Sequence, residues 1–214
     1  MKKKVNTDNK SYEQKLKRCQ DEKTGLWGFA DQSGETVLPC QWKYADCFHN
    51  YLARVQDLSG KWGLIDKKGR TVVPCHWKGI GDYFSEGLLE VQDDNGYWGY
   101  INETNMIVIP CQWKIARRFW EGLAKVKDVN NGCGFIDKTG RLVLPCQWKN
   151  ALWFSEGLAG VQDFNDKWGF IDKTGQIVIP CIWGNVGWFR NGKVRVQTVL
   201  GGGYHEIDRN DNAV

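Results

Sequence analysis

The sequence predicts an all-β protein made of tandem repeats of about 35 residues, and three regularities support this prediction. First, a Trp-Gly step, replaced once by Cys-Gly, begins at positions 27, 62, 98, 133 and 168, at spacings of 35, 36, 35 and 35 residues. Second, every proline precedes a cysteine and lies 12 residues after the start of a step: Pro39, Pro74, Pro110, Pro145 and Pro180. Third, a tryptophan stands two residues after each of those cysteines: Trp42, Trp77, Trp113, Trp148 and Trp183.

The sequence of each repeat predicts three antiparallel strands, as the copy at residues 52–87 illustrates. Residues 52–57 alternate apolar and polar side chains, and residues 61–66 form a second strand with Trp62 and Leu64 on one face. The glycine after each tryptophan is interpreted as room for a neighbouring backbone or ring. A turn from Asp66 to Gly69 leads to a third strand at 71–77, where the proline indicates an edge or strand-end position. The following segment is expected to return the chain through a short helical turn.

The two ends of the chain carry degenerate copies of the repeat. "RCQD" at 18–21 matches "RVQD" at 54–57, and "YHEIDRND" at 204–211 matches the Trp-Gly strand and its turn. Terminal units of repeat arrays are atypical, because they expose a face that inner units bury. We therefore predict a flexible basic tail at residues 1–11. A single repeat domain follows at 12–214, with five full repeats plus the degenerate ends.

The length of the repeat bears on how the units assemble. One unit has too small a core to be stable alone, so neighbouring units are expected to stack their Trp, Phe and Val side chains. A propeller blade usually has four strands in about 40 residues or more, whereas these units are shorter. A six-fold ring would also lack one strand. We therefore predict an open, twisted β array, or solenoid, with a closed propeller- or barrel-like ring as the alternative.

Composition excludes several classes of protein. No stretch of apolar residues is long enough for a membrane helix, and no apolar run follows the basic N-terminus as in a signal peptide. We therefore expect a cytoplasmic protein whose eight cysteines are reduced. The net charge of +4 permits an acidic partner without requiring one.

The recurring strings resemble those of the WG-repeat family of bacterial proteins. They are carried by Lys61–Gly69, Asp166–Pro180, Phe84–Val91 and Phe154–Val161 and by their copies, over roughly residues 16–208. The resemblance implies an all-β repeat scaffold with a role in protein interaction, and no enzymatic activity. The family pattern after the proline is similar to Pro-x-x-Tyr-Asp. This chain has Cys-Gln-Trp-Lys there, as at residues 111–114, so an acidic position has become basic.

The candidate catalytic and metal-binding residues have structural explanations. The repeated cysteines lack the paired spacing of zinc ligands, and Cys19 and Cys133 replace Val and Trp, which is typical of small apolar core residues. The three histidines occupy different positions in different repeats, without a recurring Ser, Cys or Asp partner. The repeated aspartates open turns. We therefore predict that the protein is not an enzyme, that it binds no cofactor and that it has no metal site.

Specificity is expected where the repeat varies. The position before the repeated phenylalanine changes from copy to copy, and Trp120 is an additional tryptophan without a counterpart. Extra Trp, Tyr and Arg residues are favoured anchors of protein interfaces. Core packing of the array is the alternative explanation. The predicted protein-binding residues are Tyr83, Arg118, Trp120, Trp153 and Trp188.

A second candidate function uses the lysine that follows the repeated tryptophan. Stacked repeats would align these lysines into a ladder that contacts phosphates without reading bases. Its members are Lys43, Lys78, Lys114 and Lys149. The primary prediction is a non-enzymatic scaffold that binds another protein or itself, such as an accessory subunit of a larger bacterial complex. The alternative is an accessory subunit that binds nucleic acid or another polyanion, for example in a defence or stress system.

Overall fold

The computed structural model describes residues 15–213, and all regular secondary structure in this range is β-strand. The predicted tail at 1–11 lies outside the described residues. The chain forms two compact units that divide between Cys75 and His76. The 21 strands are β1 Lys17–Gln20, β2 Trp27–Ala30, β3 Thr36–Trp42, β4 Tyr44–Ala45, β5 Leu52–Gln56, β6 Trp62–Asp66, β7 Thr71–Trp77, β8 Gly79–Ile80, β9 Leu88–Gln92, β10 Trp98–Asn102, β11 Ile107–Trp113, β12 Ile115–Ala116, β13 Ala124–Lys127, β14 Cys133–Ile136, β15 Leu142–Trp148, β16 Asn150–Ser155, β17 Leu158–Gln162, β18 Trp168–Asp172, β19 Ile177–Val186, β20 Val194–Thr198 and β21 His205–Ile207.

The strands form five small antiparallel sheets, and none of them closes on itself. The first unit contains a sheet of order β1-β2-β3 and a sheet of order β4-β5-β6-β7. The second unit contains sheets of order β8-β9-β10-β11, β12-β13-β14-β15 and β16-β17-β18-β19-β20-β21. The last sheet has six strands because the degenerate C-terminal copy adds β20 and β21. The predicted all-β fold of tandem repeats of about 35 residues is thereby confirmed.

Three of the repeats also have a short strand that the sequence did not predict. Strands β4, β8 and β12 are two residues long and pair with the strand that follows them, for example through Ile80 opposite Val91. Two residues are too few to show an alternating pattern, which explains why this segment was expected to contain a helical turn. The expectation of a helical turn was wrong. The three predicted strands of each repeat are present beside this fourth one.

The repeated aspartates form the predicted turns. In the fourth repeat the Asp137 carboxylate accepts hydrogen bonds from the Thr139 hydroxyl at 2.6 Å and from the backbone N–H groups of Thr139 and Arg141 at 2.9 and 3.1 Å. These donors, the hydroxyl first among them, lower the pKa of the carboxyl group. Gly140 follows with a φ of 85°, the left-handed region in which glycine has no steric cost.

The Trp-Gly step is explained by a bulge in the neighbouring strand. Opposite Gly99, strand β11 carries extra residues between Ile109 and Trp113, and its backbone folds over the glycine. A Cβ atom on Gly99 would lie 2.5 Å from the Ile109 carbonyl oxygen and 2.7 Å from the Cys111 nitrogen. Pro110 belongs to this bulge on an outer strand, where its lack of an N–H costs no ladder hydrogen bond. The interpretation of the glycine as room for a neighbouring backbone is confirmed.

Consecutive sheets within a unit share one hydrophobic core. In the second unit, Tyr100 of β10 packs against Phe119 at 4.9 Å between ring centroids, and both are fully buried. The same contact recurs one repeat later between Phe135 and Phe154, also at 4.9 Å. In the first unit Phe29 makes the same contact with Phe48, and their ring centroids lie 4.7 Å apart. The junction between the two sheets of the first unit and both junctions of the second unit therefore each contain one aromatic pair contributed by both repeats, as the stacking hypothesis requires.

A glutamate in the loop after the repeated phenylalanine connects successive repeats. The Glu121 carboxylate accepts hydrogen bonds from the backbone N–H groups of Glu156 and Gly157 at 2.8 and 3.1 Å. Lys173 adds an ion pair to the same carboxylate at 3.1 Å. The backbone φ of Glu121 is 52°, an uncommon value for a residue with a side chain. The sequence did not predict this contact of the glutamate between repeats.

The same arrangement recurs one repeat later, where Glu156 accepts from the backbone N–H groups of Asn191 and Gly192 at 2.6 and 2.9 Å. The N–H of Gly192 is the largest cause that lowers the pKa of the Glu156 carboxyl group. Arg209 lies 3.6 Å from the carboxylate. We call these glutamate contacts, made by Glu86, Glu121 and Glu156, the inter-repeat clamps.

Replacing Gly99 with alanine is expected to destabilise the fold by about 2 kcal/mol or more, because the new methyl group would overlap backbone atoms that cannot rotate away. Gly203→Ala is the matched control, since a Cβ at Gly203 meets no atom within 4 Å. Urea unfolding of both variants measures the difference. Equal stability of the two variants would contradict the close packing of the bulge on the glycine.

Replacing Glu156 with glutamine tests the inter-repeat clamp through its pH dependence. The folded pKa of Glu156 is lowered, so its carboxylate stabilises the fold above the ordinary pKa of glutamate. That contribution is lost as the pH falls through the folded pKa. The difference in Tm between wild type and Glu156→Gln is therefore expected at neutral pH and should disappear in acid. The control is Glu103→Gln, an exposed residue of a turn, and a pH-independent difference for Glu156→Gln would contradict the clamp.

Candidate functional site

The structure brings the five predicted protein-binding residues together in one cleft of the second unit. The cleft has a volume of about 700 Å³. Four of the five occupy the same position in successive repeats, at spacings of 35 residues: Tyr83, Arg118, Trp153 and Trp188. Trp120 lines the same cleft. Residues that lie far apart in the sequence therefore become neighbours because the repeat places each copy of one position beside the next.

The four equivalent residues form a continuous ladder of side chains. The guanidinium carbon of Arg118 lies 4.9 Å from the centre of the Tyr83 ring and 5.6 Å from that of Trp153. Arg118 also donates a hydrogen bond to the Tyr83 hydroxyl. Trp153 and Trp188 are stacked, with ring centroids 6.5 Å apart and planes inclined by 24°. We call this row of four side chains the aromatic–arginine ladder.

The tryptophans of the cleft are exposed to solvent. The exposed fractions are 52% for Trp120, 45% for Trp153 and 62% for Trp188. Scattered single hydrophobic residues are normal on protein surfaces, whereas three exposed tryptophans lining one cleft are a feature of binding surfaces. The alternative explanation, that the ladder serves only to pack the array, leaves the exposure of these rings unexplained.

Trp120 occupies a position that serves packing in neighbouring repeats. The equivalent residues Ser85 and Ser155 donate hydroxyl hydrogen bonds to the carbonyl oxygens of Phe119 and Phe189, at 2.6 and 2.7 Å. A tryptophan has no hydroxyl to make this bond. Its backbone still pairs with Leu123 as in the other copies. The side chain at this position has thus exchanged a packing contact for a place on the wall of the cleft.

Cationic side chains that the sequence analysis did not single out also line the cleft. Lys125 projects from β13, and its ammonium group donates to the Ala151 carbonyl oxygen at 2.7 Å. Burial is the main cause that lowers the pKa of this lysine. Arg117 lies beside Arg118 on the lining. The position of Lys125 varies between copies, with Arg54, Glu90, Gly160 and Arg195 as counterparts, so the same criterion of variation would have found it.

Glu90 lies close to these cations but is largely enclosed. Burial raises the pKa of its carboxyl group, whereas a hydrogen bond from its own backbone and, after it, the charges of Arg118 and Arg117 act to lower this pKa. One carboxyl oxygen of Glu90 is buried without a hydrogen-bond partner. The negative charge of Asp82 also raises the pKa of Glu90. A buried carboxyl group with a raised pKa compensates the neighbouring positive charges less than an exposed carboxylate would.

The four predicted polyanion-binding lysines are placed at equivalent sites of their own sheets. The backbone N–H groups of Lys43, Lys78, Lys114 and Lys149 all donate to the strand that follows. The side chain of Lys149 forms an ion pair with Asp166 at 2.5 Å, and that of Lys114 donates to Asn131 at 2.6 Å. Each of these two ammonium groups is therefore directed toward a hairpin loop of its own sheet. None of the four belongs to the lining of the cleft described above.

The repeated cysteines pack on a neighbouring strand. The sulfur atoms of Cys75, Cys111 and Cys181 lie 3.8, 3.8 and 3.9 Å from the carbonyl oxygens of Val55, Val91 and Val161. Burial raises the pKa of all three thiols. Over residues 15–213, no group of three His, Cys, Asp or Glu side chains is arranged to hold a metal ion. The same range contains no helix that is long and apolar enough to cross a membrane.

The family follows from comparison with known sequences. The model described as "WG containing repeat" matches five consecutive segments, at residues 27–62, 62–97, 98–133, 134–168 and 168–198. The chain belongs to the WG-repeat family. The segments cover most of the chain and begin at or next to the step positions found above, so the resemblance in the sequence is confirmed. No curated protein matches this WG-repeat chain.

Comparison with solved structures concerns the fold alone, because all identities are low. Hsv2p of Kluyveromyces lactis matches with a TM-score of 0.53 and 10% identity over 85% of this chain. The computationally designed Ika8 protein matches with a TM-score of 0.52 and 13% identity over 91% of the chain. BamB from Moraxella catarrhalis matches with a TM-score of 0.48 and 13% identity over 87%. The WG-repeat chain covers 65% of the length of each of these proteins.

Proposed function

We propose that this WG-repeat chain is a non-enzymatic scaffold that binds another protein through the cleft of its second unit. The observation that supports the proposal is the aromatic–arginine ladder, in which four equivalent positions contribute one continuous exposed surface. Tyrosine, tryptophan and arginine are the residues most often found as energetic anchors of protein interfaces. Tyrosine and tryptophan combine a large apolar area with few rotatable bonds, so little conformational entropy is lost when they bind.

The rigidity of the surroundings adds to this argument. The residues next to the ladder in the sequence, Phe119, Phe154 and Phe189, are buried in the shared cores. Their burial fixes the backbone from which Arg118, Trp153 and Trp188 project. A preorganised surface loses less conformational entropy when a partner binds, which favours affinity.

The polyanion alternative has weaker support. An electrostatic ladder needs ammonium groups that can release counterions to phosphates. The ammonium groups of Lys114 and Lys149 are engaged with side chains of their own sheets. Surface contacts of this kind are weak, so the alternative stays a hypothesis that the following experiment also addresses.

Affinity capture from the native host with matched variants tests the proposed function. Trp153→Ala combined with Trp188→Ala is expected to weaken retention of a specific partner on the order of 30-fold or more, because the loss of even one anchor residue costs about 2 kcal/mol. The control is Phe164→Ala, because Phe164 is an aromatic residue at least as exposed as the two tryptophans and lies on a hairpin loop of the same sheet, outside the cleft. Quantitative mass spectrometry of the captured proteins provides the measurement.

The outcome distinguishes the two candidate functions. Partners that bind wild type and Phe164→Ala but not the double tryptophan variant support the cleft. Partners or nucleic acids that are lost only when Lys43, Lys78, Lys114 and Lys149 are all replaced by Glu would reject the cleft and favour the polyanion alternative. Retention of every partner by the double tryptophan variant would also reject the proposed function.

A further inference from the structure

The charge and shape of the cleft indicate what kind of segment binds there. We infer that its occupant is a short acidic peptide segment in which carboxylates flank an aromatic or aliphatic side chain. This inference rests on the proposed function and goes beyond it by naming the chemistry of the partner. It is argued from the cations of the cleft, from its aromatic wall and from its size.

The residues that line the cleft carry positive charges and no negative one. Arg117, Arg118 and Lys125 line it, and no acidic residue does so within the described part of the chain. The ion pairs of residues 15–213 do not include any of these three cations. Glu90, the buried carboxyl group nearby, has its charged form disfavoured by burial. A carboxylate that enters the cleft would therefore meet cations whose own electrostatic partners are incomplete.

Lys125 is the cation most affected by its surroundings. Its ammonium group is largely desolvated and contacts one backbone carbonyl oxygen, that of Ala151. The ammonium group of Lys125 is already desolvated in the folded protein, so binding requires little further loss of its hydration. A carboxylate that pairs with Lys125 is therefore bound more strongly than at an exposed lysine. Arg117 offers a planar group that can bind a carboxylate through two parallel hydrogen bonds.

The aromatic residues indicate an apolar side chain between the acidic ones. Trp153 and Trp188 present stacked faces, and Trp120 is exposed beside them. Leu152 and Phe154 add apolar surface to the lining. Burying an aromatic ring of a partner against these residues removes roughly 150–250 Å² of its surface from water. Acidic and apolar groups therefore have separate places within the same cleft.

A peptide fits these observations better than a nucleic acid does. A volume of about 700 Å³ lies within the range of ligand-sized clefts and accommodates a few side chains. Nucleic-acid grooves follow a phosphate backbone with a row of exposed cations over many nucleotides. Here Arg118 lies between the rings of Tyr83 and Trp153. The ammonium groups of Lys114 and Lys149, outside the cleft, contact side chains of their own sheets. Stacking of bases on the tryptophans is the competing explanation, and the experiment includes it.

Fluorescence anisotropy with the full chain and three labelled probes tests this inference. The probes are a peptide with aspartates flanking one phenylalanine, the same peptide with asparagines in place of the aspartates, and a short oligothymidylate. The aspartate peptide is expected to bind on the order of tenfold more tightly than the asparagine peptide, since hydrogen bonds between charged partners exceed neutral ones by about that factor. Lys125→Met is expected to remove most of this difference while it preserves the aliphatic part of the side chain. Lys149→Met removes the same charge outside the cleft and should leave the difference unchanged.

The possible outcomes test the acidic occupant and the protein-binding cleft separately. Equal binding of both peptides, lost in the Trp153→Ala and Trp188→Ala double variant, would overturn the acidic occupant while the protein-binding cleft stands. Binding of oligothymidylate alone, lost in the same double variant, would overturn both. Failure of both peptides to bind would also overturn the acidic occupant, and capture from the host then judges the proposed function separately. Circular dichroism of Lys125→Met excludes unfolding as the cause of a loss.

A second inference comes from two cysteines of the first unit. We propose that Cys19 and Cys40 form a reversible disulfide when the protein meets a hydroperoxide. Their sulfur atoms lie 3.8 Å apart, and the Cys40 sulfur also lies 3.9 Å from the Cys19 carbonyl oxygen. Both residues are partly accessible. Closing the bond requires the sulfur atoms to approach to about 2.05 Å.

The repeat explains why the two thiols meet only at this position in the described chain. The cysteine after each proline packs over the neighbouring strand at a position held elsewhere by Val55, Val91 or Val161. In the first sheet Cys19 replaces that valine, so a thiol lies where the other copies have a methyl group. Among the strands of residues 15–213, β1 is an outer strand that pairs only with β2, which allows the small movement that the bond needs.

The chemistry balances with the hydroperoxide as oxidant. One thiolate attacks the peroxide oxygen, which yields a sulfenic acid and releases the alcohol or water from the other oxygen. The second sulfur then attacks the sulfenic sulfur, which forms the S–S bond and releases water. Two thiols lose their hydrogen atoms while the peroxide is reduced. A dithiol reductant reverses the reaction by thiol–disulfide exchange.

Non-reducing peptide mapping after brief treatment with hydrogen peroxide tests the pair. A peptide that links Cys19 to Cys40 is expected, with a rise of several degrees in Tm that a dithiol reverses, because the bond closes a loop in the unfolded chain. Cys19→Val, which restores the residue of the other repeats, should abolish both effects without loss of stability. A Cys47→Ser variant removes the exposed competing thiol and should keep them. Absence of the linked peptide in wild type and in Cys47→Ser would overturn the proposal.

Discussion

The packing of one sheet's aromatic residue against that of the next sheet is the interaction on which the structure depends. A sheet of four short strands has too little apolar surface to be stable alone. The pairs Tyr100–Phe119 and Phe135–Phe154 place fully buried rings from consecutive repeats in contact, and each lies at the centre of a cluster drawn from two sheets. Stability is therefore a property of the junction, and each repeat is defined by what it contributes to its neighbours.

The same dependence on neighbours explains the polar contacts between repeats. The clamp at Glu121 connects its loop to the equivalent loop one repeat later, and Lys173 adds its charge from the following turn. Apolar packing is insensitive to small rotations, whereas a carboxylate that accepts two N–H groups fixes orientation. The aromatic pairs supply cohesion and the clamps set the spacing. As a result, equivalent positions of successive repeats lie at constant intervals, which is the condition for a ladder such as that of Arg118 and Trp153.

The sequence was informative wherever one residue alone decides a local geometry. Aspartate at the start of a turn, glycine at positive φ and alternating strands are local signals, and Asp137 and Gly140 behave as expected. The short strand at Ile80 and the clamp at Glu121 depend on contacts with residues that are distant in sequence, so no local pattern reveals them. The residues of the cleft likewise divide into those that the sequence revealed and those that it did not. Variation within the repeat identified the ladder, but the closeness of Lys125 to it required the packing of β13 against the next repeat.

Trp120 shows how an exposed cleft arises in a fold whose other positions contribute to stability. The serine that occupies its place in neighbouring repeats contributes a hydroxyl hydrogen bond across the junction, at 2.6 Å in the case of Ser85. A buried bond of this kind contributes about 1 kcal/mol, which the tryptophan forgoes while it exposes half of its own surface. The junction tolerates the loss because the aromatic pair and the clamp on either side still hold it. Because these two contacts are redundant, a single position at the junction can change without loss of the fold, and Trp120 is such a position on the wall of the cleft.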